Sequence, residues 1–257
     1  MHNISVDKRR LLREKIINGA QEYNTHLVNK TFLIVCEDGY TDAVRFFKRD
    51  FLHLVGVKTD LTESAFYNNC VRRMLDVSNI KEEQKYNWST LKSKADRIEK
   101  IHKIIYADVQ DSLFMINLHT NSSDFPVAIR NKSIATCVGF RETINKARTL
   151  RKYDNSNDAD EQKRIIAIFE KKQTDSLYSD LVYASTVKEL YYKKPDINSF
   201  LTEELKKMVE TNLHTPIRKD TRTTIKNISE TVKLPRCFRT DTYSETLKKI
   251  KLKNRVR

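Results

Sequence analysis

The spacing of apolar residues changes after Asp111, and this change restricts the possible folds more than any other feature of the chain. Before Asp111, apolar residues recur at helical spacing, as in Leu12, Ile16, Ala20, Tyr23 and Leu27. An apolar stripe of this period is typical of an amphipathic helix. After Asp111, short segments rich in strand-forming residues follow one another, separated by polar turns. Helices followed by strands predict an α+β domain, with N-terminal helices packed on a mainly antiparallel sheet.

The individual elements follow from the same patterns. Helices are predicted over residues 5–29, from Thr62 onwards, and from Ser89 to Ile105. Residues 31–36 and 43–47 are predicted to form a β-hairpin, because polar turn residues separate two strand-like segments. Further strands are predicted at residues 113–118, 125–130, 134–140, 147–151, 165–169 and 177–184.

The chain is predicted to contain three parts. Residues 1–30 form an N-terminal helix, residues 31–192 the α+β domain, and residues 193–257 a basic extension that is helical or disordered. The end of this extension, residues 211–257, carries 13 basic and 4 acidic side chains, and so holds +9 of the net charge of +14. Its sparse apolar residues indicate a solvated tail. The same charge suits an arm that binds nucleic acid or docks on a partner.

Charge and motifs narrow the classes of function. A net charge of +14 points to a polyanionic partner, first nucleic acid and second an anionic membrane. No apolar run is long enough to span a bilayer, and the N-terminus lacks the apolar stretch of a signal peptide, so a cytoplasmic protein is expected. The absence of GxxxxGKS/T and GxGxxG motifs argues against a P-loop or Rossmann nucleotide site.

Cysteine spacing argues against a zinc site. The four cysteines are far apart and form no C-x-x-C pair. Cys36 and Cys137 lie in apolar, strand-like segments, and are therefore interpreted as small core residues.

His53 is the first candidate for proton transfer. It lies in the segment 45–57, where basic residues precede it and apolar residues surround it. An imidazole titrates near neutral pH, so a partly screened one beside cations is suited to moving protons at a phosphodiester. The alternative interpretation is a histidine packed in an apolar core. Of the other histidines, His119 is interpreted as an exposed loop residue and His102 as a structural residue on a helix.

Three segments, taken in order, resemble a known family. They are DFLHLVGV at 50–57, VGF at 138–140 followed by ARTL at 147–150, and IIAIFEKK at 165–172 followed by YSDLVY at 178–183. Together they resemble the phage-associated branch of the barnase, EndoU, colicin E5/D and RelE-like nucleases, specifically its fourth phage family, over roughly residues 25–192. The resemblance implies a metal-independent endoribonuclease domain, with one or two helices packed on an antiparallel sheet of about four to five strands. Many domains of this kind are phage-borne or serve as toxins in conflict systems.

The resemblance also implies which residues form the site. His53 is expected to act as general acid or base, and Arg148 and Thr149 are expected to hold the scissile phosphate. Lys171 and Tyr183 are further catalytic candidates. Candidate nucleic-acid-binding residues lie near these positions and in the tail: Arg45, Lys48, Arg49, Arg151, Lys152, Lys248, Lys249, Lys251 and Lys253. The carboxylates offer no close pair typical of a two-metal nuclease, so no metal or other cofactor is expected.

The leading hypothesis is a metal-independent endoribonuclease that cleaves RNA, with tRNA among the candidate substrates, through attack by the 2′-hydroxyl. It would act as a toxin or effector in a phage or antiphage conflict system, with a protein or RNA antitoxin as partner and no role for a membrane. Two alternatives stay open: a non-catalytic nucleic-acid-binding module, and a phage-encoded inhibitor that docks on a partner protein.

Overall fold

The computed structural model describes residues 5–81, 87–107, 109–120, 123–141, 145–152, 159–185, 190 and 197–214, with side chains up to residue 210. The chain divides into two compact units, Met1–Leu213 and His214–Arg257. The predicted basic tail therefore lies almost wholly outside the described residues, and so do its four candidate lysines, Lys248, Lys249, Lys251 and Lys253.

Most of the helices precede the main sheet, as predicted. The described residues contain six: α1 (Val6–His26), α2 (Phe51–Val55), α3 (Glu63–Val71), α4 (Trp88–Ile98), α5 (Lys103–Tyr106) and α6 (Glu203–His214). Ser5, Thr62 and Asn87 cap α1, α3 and α4, because each side chain accepts a backbone hydrogen bond from three residues further on. The helix predicted from Ser89 to Ile105 is divided in two. Between α4 and α5, backbone N–H groups donate hydrogen bonds to carbonyl oxygens three residues earlier instead of four. This pattern forms tight turns that interrupt the α-helix.

The strands match the predicted segments in order but not in length. The described residues contain eight: β1 (Lys30–Cys36), β2 (Thr41–Arg45), β3 (Ser112–Thr120), β4 (Ser123–Asn131), β5 (Thr136–Arg141), β6 (Lys146–Lys152), β7 (Ala159–Lys172) and β8 (Asp180–Ala184). β1 and β2 pair as the predicted hairpin. β7 is much longer than the predicted segment 165–169, because its charged first half pairs with β3 and carries no apolar stripe.

The sheet closes into a seven-stranded barrel. The ring runs β1-β2-β6-β5-β4-β3-β7 and returns to β1, while β8 adds to β7 outside it. All of these pairings are antiparallel except β2 with β6, which meet in parallel at the single pair Arg45 and Lys146. The mixed α+β class with N-terminal helices is confirmed. The closure was not predicted, because it depends on contacts between strands about 100 residues apart in the sequence.

The two faces of the barrel wall carry different residues. On the core face, exemplified by Phe32 and Ile34 of β1, apolar side chains from every strand of the ring join α1 to α5 in one cluster. On the opposite face, exemplified by Leu33 and Val35, the apolar residues of β1, β7 and β8 form a separate cluster with α6. Because successive residues of a strand point to opposite faces, this division assigns each strand side chain to one face.

The interior of the core face is rich in aromatic rings. Tyr23 of α1 contacts Phe46, Phe51 and Tyr67, with ring centroids 6.0, 5.3 and 6.2 Å away. Its hydroxyl donates a hydrogen bond to the carbonyl oxygen of Phe47 at 3.1 Å. These contacts fix the short helix α2 between α1, α3 and the barrel. None of the described helices has both the length and the apolar character that crossing a membrane requires.

Gly19 allows α1 and α4 to approach closely. A Cβ atom at this position would lie 2.5 Å from Ile98 Cγ2 and 3.2 Å from the Ile98 carbonyl carbon. Since the second atom belongs to the backbone, the two helices must separate to admit a side chain. We expect Gly19→Val to lower the free energy of unfolding by about 1–3 kcal/mol, measured by urea denaturation. Leu11→Val is the control, since it places the same side chain at an exposed position of α1 and is expected to change stability by less than about 0.5 kcal/mol. Equal effects of the two substitutions would contradict close packing at Gly19.

Candidate nucleic-acid interface

Four basic residues and a threonine form one line across the opposite face of the barrel. Thr31 of β1 pairs with Lys171 of β7 on one side and with Arg45 of β2 on the other. Lys146 of β6 pairs with Arg45 on one side and with Arg141 of β5 on the other. Residues paired across neighbouring strands point to the same face. We call these five residues the basic row. It spans four strand spacings, or about 19 Å.

One end of the basic row is held by short-range contacts. The ammonium of Lys171 donates a hydrogen bond to the Ser176 carbonyl oxygen at 2.7 Å and lies 4.8 Å from the ring centroid of Tyr178. The guanidinium Nε of Arg45 lies 3.4 Å from Thr31 Oγ1, to which it donates. Both cations are half-buried. Their backbones lie two strands apart, about 10 Å, so both side chains can reach one phosphate between them.

The electrostatics of this end favour an anion. Burial lowers the pKa of Lys171, and the neighbouring positive charge of Arg45 lowers it further, while the negative charge of Asp175 offsets part of this shift. Among the described residues, no carboxylate lies within ion-pair distance of Lys171 or Arg45. Two half-buried cations without a carboxylate at ion-pair distance repel each other, and a bound phosphate would relieve that repulsion. Burial also raises the pKa of Tyr178 to about 12, so its hydroxyl stays protonated.

The other end of the basic row meets a small apolar patch. The guanidinium of Arg141 lies 4.8 Å from the ring centroid of Phe125 and donates a hydrogen bond to the Asp124 carbonyl oxygen at 2.8 Å. Phe125 and the methyl group of Thr149 both lie close to Gly139, where a Cβ atom would be 2.7 and 2.9 Å from them. Thr149 therefore lies on the same face as the basic row, beside its Arg141 end.

His53 lies elsewhere, on α2. Its Nε2 is 2.9 Å from Glu63 Oε1, and its side chain is 41% exposed. The interpretation of His53 as a residue packed in an apolar core is therefore wrong. The carboxylate of Glu63 can fix the orientation and tautomer of the imidazole, as a general acid or base requires. α2 packs on the core face, so His53 belongs to the helical side of the molecule.

Arg148 belongs to the same side as His53. The pairing of β5 with β6 shifts by one residue between Gly139 and Phe140, and this β-bulge makes Arg148 the extra residue of β6. A bulge redirects a side chain, and here the guanidinium of Arg148 points to Asp50, with 3.9 Å between Nη1 and Oδ1. Asp50 is fully buried, its Oδ1 accepts no hydrogen bond, and burial raises its pKa.

The structure thus divides the predicted site residues into two groups. Arg45, Thr149 and Lys171 share the opposite face, and the half-buried Arg151 joins them by strand alternation. His53 and Arg148 lie on the helical side, where Lys48 and Arg49 are exposed just before α2. Tyr183 packs against the main core, and Lys152 is exposed at the end of β6. Sequence patterns missed Thr31, Arg141 and Lys146, because only the strand register places them beside Arg45.

One group of side chains in the described part of the chain could hold a metal ion. It consists of Glu22, His26 and His102, which lie on α1 and just before α5, on the helical side of the molecule. Cys36, Cys70 and Cys137 are buried.

Comparison with known proteins identifies the family. The model of the phage-barnase-EndoU-colicin E5/D-RelE-like nuclease family 4 matches residues 15–186, about two thirds of the chain. No curated protein and no solved structure matches the chain. The match includes the whole basic row, the part of α1 from residue 15 onwards, and the helices α2 to α5. The chain belongs to the phage-barnase-EndoU-colicin E5/D-RelE-like nuclease family 4.

Proposed function

We propose that this protein is an endoribonuclease that binds RNA on the basic row and cleaves it without a metal ion. The observation that carries this proposal is the pair Arg45 and Lys171, two half-buried cations without a carboxylate partner among the described residues, on a face that the nuclease family match includes. The net charge of +14 favours the approach of a polyanion.

The proposed reaction uses the 2′-hydroxyl of the substrate as the nucleophile. It attacks the adjacent phosphorus and loses its proton to solvent water, the bond to the 5′-oxygen breaks, and the products carry a 2′,3′-cyclic phosphate and a 5′-hydroxyl. Arg45 would stabilise the charge that develops on the phosphate oxygens, and the buried Thr31 would hold the Arg45 guanidinium in place by accepting its hydrogen bond. Lys171 would donate the proton to the departing 5′-oxygen, since its lowered pKa makes the ammonium a stronger acid.

His53 is the rival candidate for proton transfer. The contact with Glu63 orients its imidazole, and Arg148 lies near the first turn of the same helix through Asp50. This group lies on the helical side and not on the face that carries Arg45 and Lys171. The two candidates can be separated by single substitutions.

The test is incubation of total RNA with the protein in excess EDTA, with the ends of the products mapped. Cleavage that leaves 2′,3′-cyclic phosphate ends would support the proposed chemistry, and a requirement for magnesium would refute it. We expect His53→Ala to change the cleavage rate by less than about tenfold, because a catalytic acid or base would contribute about 100- to 10,000-fold. A loss in that larger range would move the site to the helical side.

A second candidate function is RNA binding without cleavage. Among the described residues, no histidine lies on the basic row, and the row offers no evident base for the 2′-hydroxyl. A binding module would show affinity that falls with salt, by about 0.7 units of log K per unit of log salt for each phosphate contact on a single strand, and no products.

The family's association with phages supports a role in a phage or antiphage conflict system, as a toxin held in check by a protein or RNA partner. Slowed growth of cells that express the wild type, but not Lys171→Ala, would agree with this role. Equal growth would argue against toxicity.

A further inference from the structure

We propose that Glu22, His26 and His102 form a zinc-binding site, which is independent of the proposed nuclease chemistry. Glu22 and His26 lie one turn apart on α1, so both side chains project from the same side of the helix. His102 is the residue before α5, about 80 positions further along the chain. A metal at this place would tie the C-terminal turn of α1 to the connection between α4 and α5.

The spacing of the donor atoms fits a metal better than hydrogen bonds. Glu22 Oε2 is 3.4 Å from His26 Nε2 and 3.5 Å from His102 Nδ1. Hydrogen bonds between such atoms are normally 2.7–3.2 Å long, so both separations are too long for good ones. Ligands at 2.0–2.2 Å from a tetrahedral zinc ion lie about 3.3–3.5 Å from one another. Two of the three separations therefore already match those of a bound ion.

A buried nitrogen atom at the same place has no hydrogen-bond partner in the part of the chain that the structure describes. His102 Nδ1 is shielded from solvent and makes no hydrogen bond, although it lies within ion-pair distance of Glu22. An unsatisfied buried polar atom is costly, and a metal ion would satisfy it.

Binding requires one adjustment of the rings. The imidazoles of His26 and His102 are stacked, with centroids 4.8 Å apart and planes inclined by 23°, so their lone pairs run side by side. One ligand atom from each of the three residues lies within 4.8 Å of the other two. A rotation of one ring about χ2, which is a soft torsion in histidine, makes the lone pairs converge. The nearby ammonium of Lys30 is already paired with Glu170 at 2.9 Å, which limits its repulsion of the ion.

The three ligands define the chemical class of the ion. Two imidazoles and one carboxylate suit zinc better than magnesium or calcium, which prefer oxygen ligands. Three protein ligands leave a fourth position, and the half-exposed Glu22 provides access from solvent. The site joins two helices of the core and lies apart from the basic row. Its expected role is therefore to stabilise the helical side of the molecule.

The test uses the full chain, stripped of metal with a chelator and titrated with zinc sulfate or cobalt chloride at neutral pH. We expect one equivalent bound per chain, an intense absorption typical of tetrahedral cobalt, and a higher midpoint of thermal unfolding with zinc. His26→Gln and His102→Gln each remove a direct ligand and should weaken binding by more than about 100-fold, the upper end of the effect of losing a residue that only supports a ligand, and abolish the stabilisation. Both properties can be measured when RNA cleavage is absent, so failure of the nuclease proposal would not affect the result.

The matched control is His119→Gln. His119 is also flanked by two carboxylates, Asp124 and Asp160, at 3.2 and 3.3 Å, but it is exposed at the surface. This variant should bind zinc as tightly as the wild type does. Glu22→Gln, at a half-exposed position, tests the site if the histidine variants fail to fold, and should also weaken binding. Absence of zinc binding by the wild type, or binding that Glu22→Gln and the histidine variants leave unchanged, would overturn the proposal.

Discussion

Lys171→Ala is expected to slow RNA cleavage by about 100- to 1000-fold, the effect of removing one group that stabilises the transition state. The half-buried side chains of Lys171 and Arg45 lie on the opposite face of the barrel wall, on either side of Thr31. Its loss removes both a positive charge beside the phosphate and the proposed proton donor. The rate should be measured under single-turnover conditions on a short RNA, in EDTA, with enzyme in excess.

Two further variants make this test specific. Lys172→Ala removes the same charge from the next position, which is exposed and points to the other face of β7, so it should reduce cleavage by less than about threefold. Arg45→Ala should resemble Lys171→Ala in rate. If both alanine variants at the row cleave RNA as fast as the Lys172 variant, the basic row is not the active site.

Phe51→Ala is expected to lower the free energy of unfolding by about 3–5 kcal/mol, which is a large part of the stability of an ordinary domain. Phe51 is fully buried and contacts Tyr23, Phe66 and Tyr67, with ring centroids 5.3, 6.4 and 5.5 Å away. Its removal leaves a cavity where α1, α2 and α3 meet. Because α2 has only five residues, it has little stability of its own and depends on this anchor.

Chemical denaturation of both proteins measures this effect, with Phe200→Ala as the control. Phe200 is 40% exposed, so the same truncation there should cost much less. The slope of unfolding against urea should stay the same for Phe51→Ala if only stability has changed. A loss below about 1 kcal/mol would show that the aromatic cluster can repack around the missing ring.

The bulge in β6 shows why two adjacent residues of one motif have different surroundings. The resemblance treats Arg148 and Thr149 as a unit, but the register shift opposite Phe140 turns Arg148 towards Asp50 and leaves Thr149 on the face of the basic row. The sequence holds no local mark of this shift, because a bulge is defined by the partner strand. Consecutive residues of one motif can therefore belong to different sites when a bulge shifts the register between them.

Local patterns in the sequence determined the elements of this protein. The apolar stripe of α1, the capping residue of α3, and the hairpin of β1 and β2 all depend on neighbours within a few residues, which is why they could be predicted. The short α2 and the charged half of β7 could not, since tertiary contacts and strand pairing hold them in place. The ordered motifs also identified the nuclease family.

Only the tertiary structure decided which of 48 basic residues lie together. Lys171, Arg45 and Arg141 are far apart in the sequence, and they share one line because β1, β2, β6 and β5 align in a particular register. The same holds for Glu22 and His102, which approach one another through the packing of helices. Strand register and helix packing depend on the burial of the whole core, so a local stretch of sequence cannot specify which charges will meet.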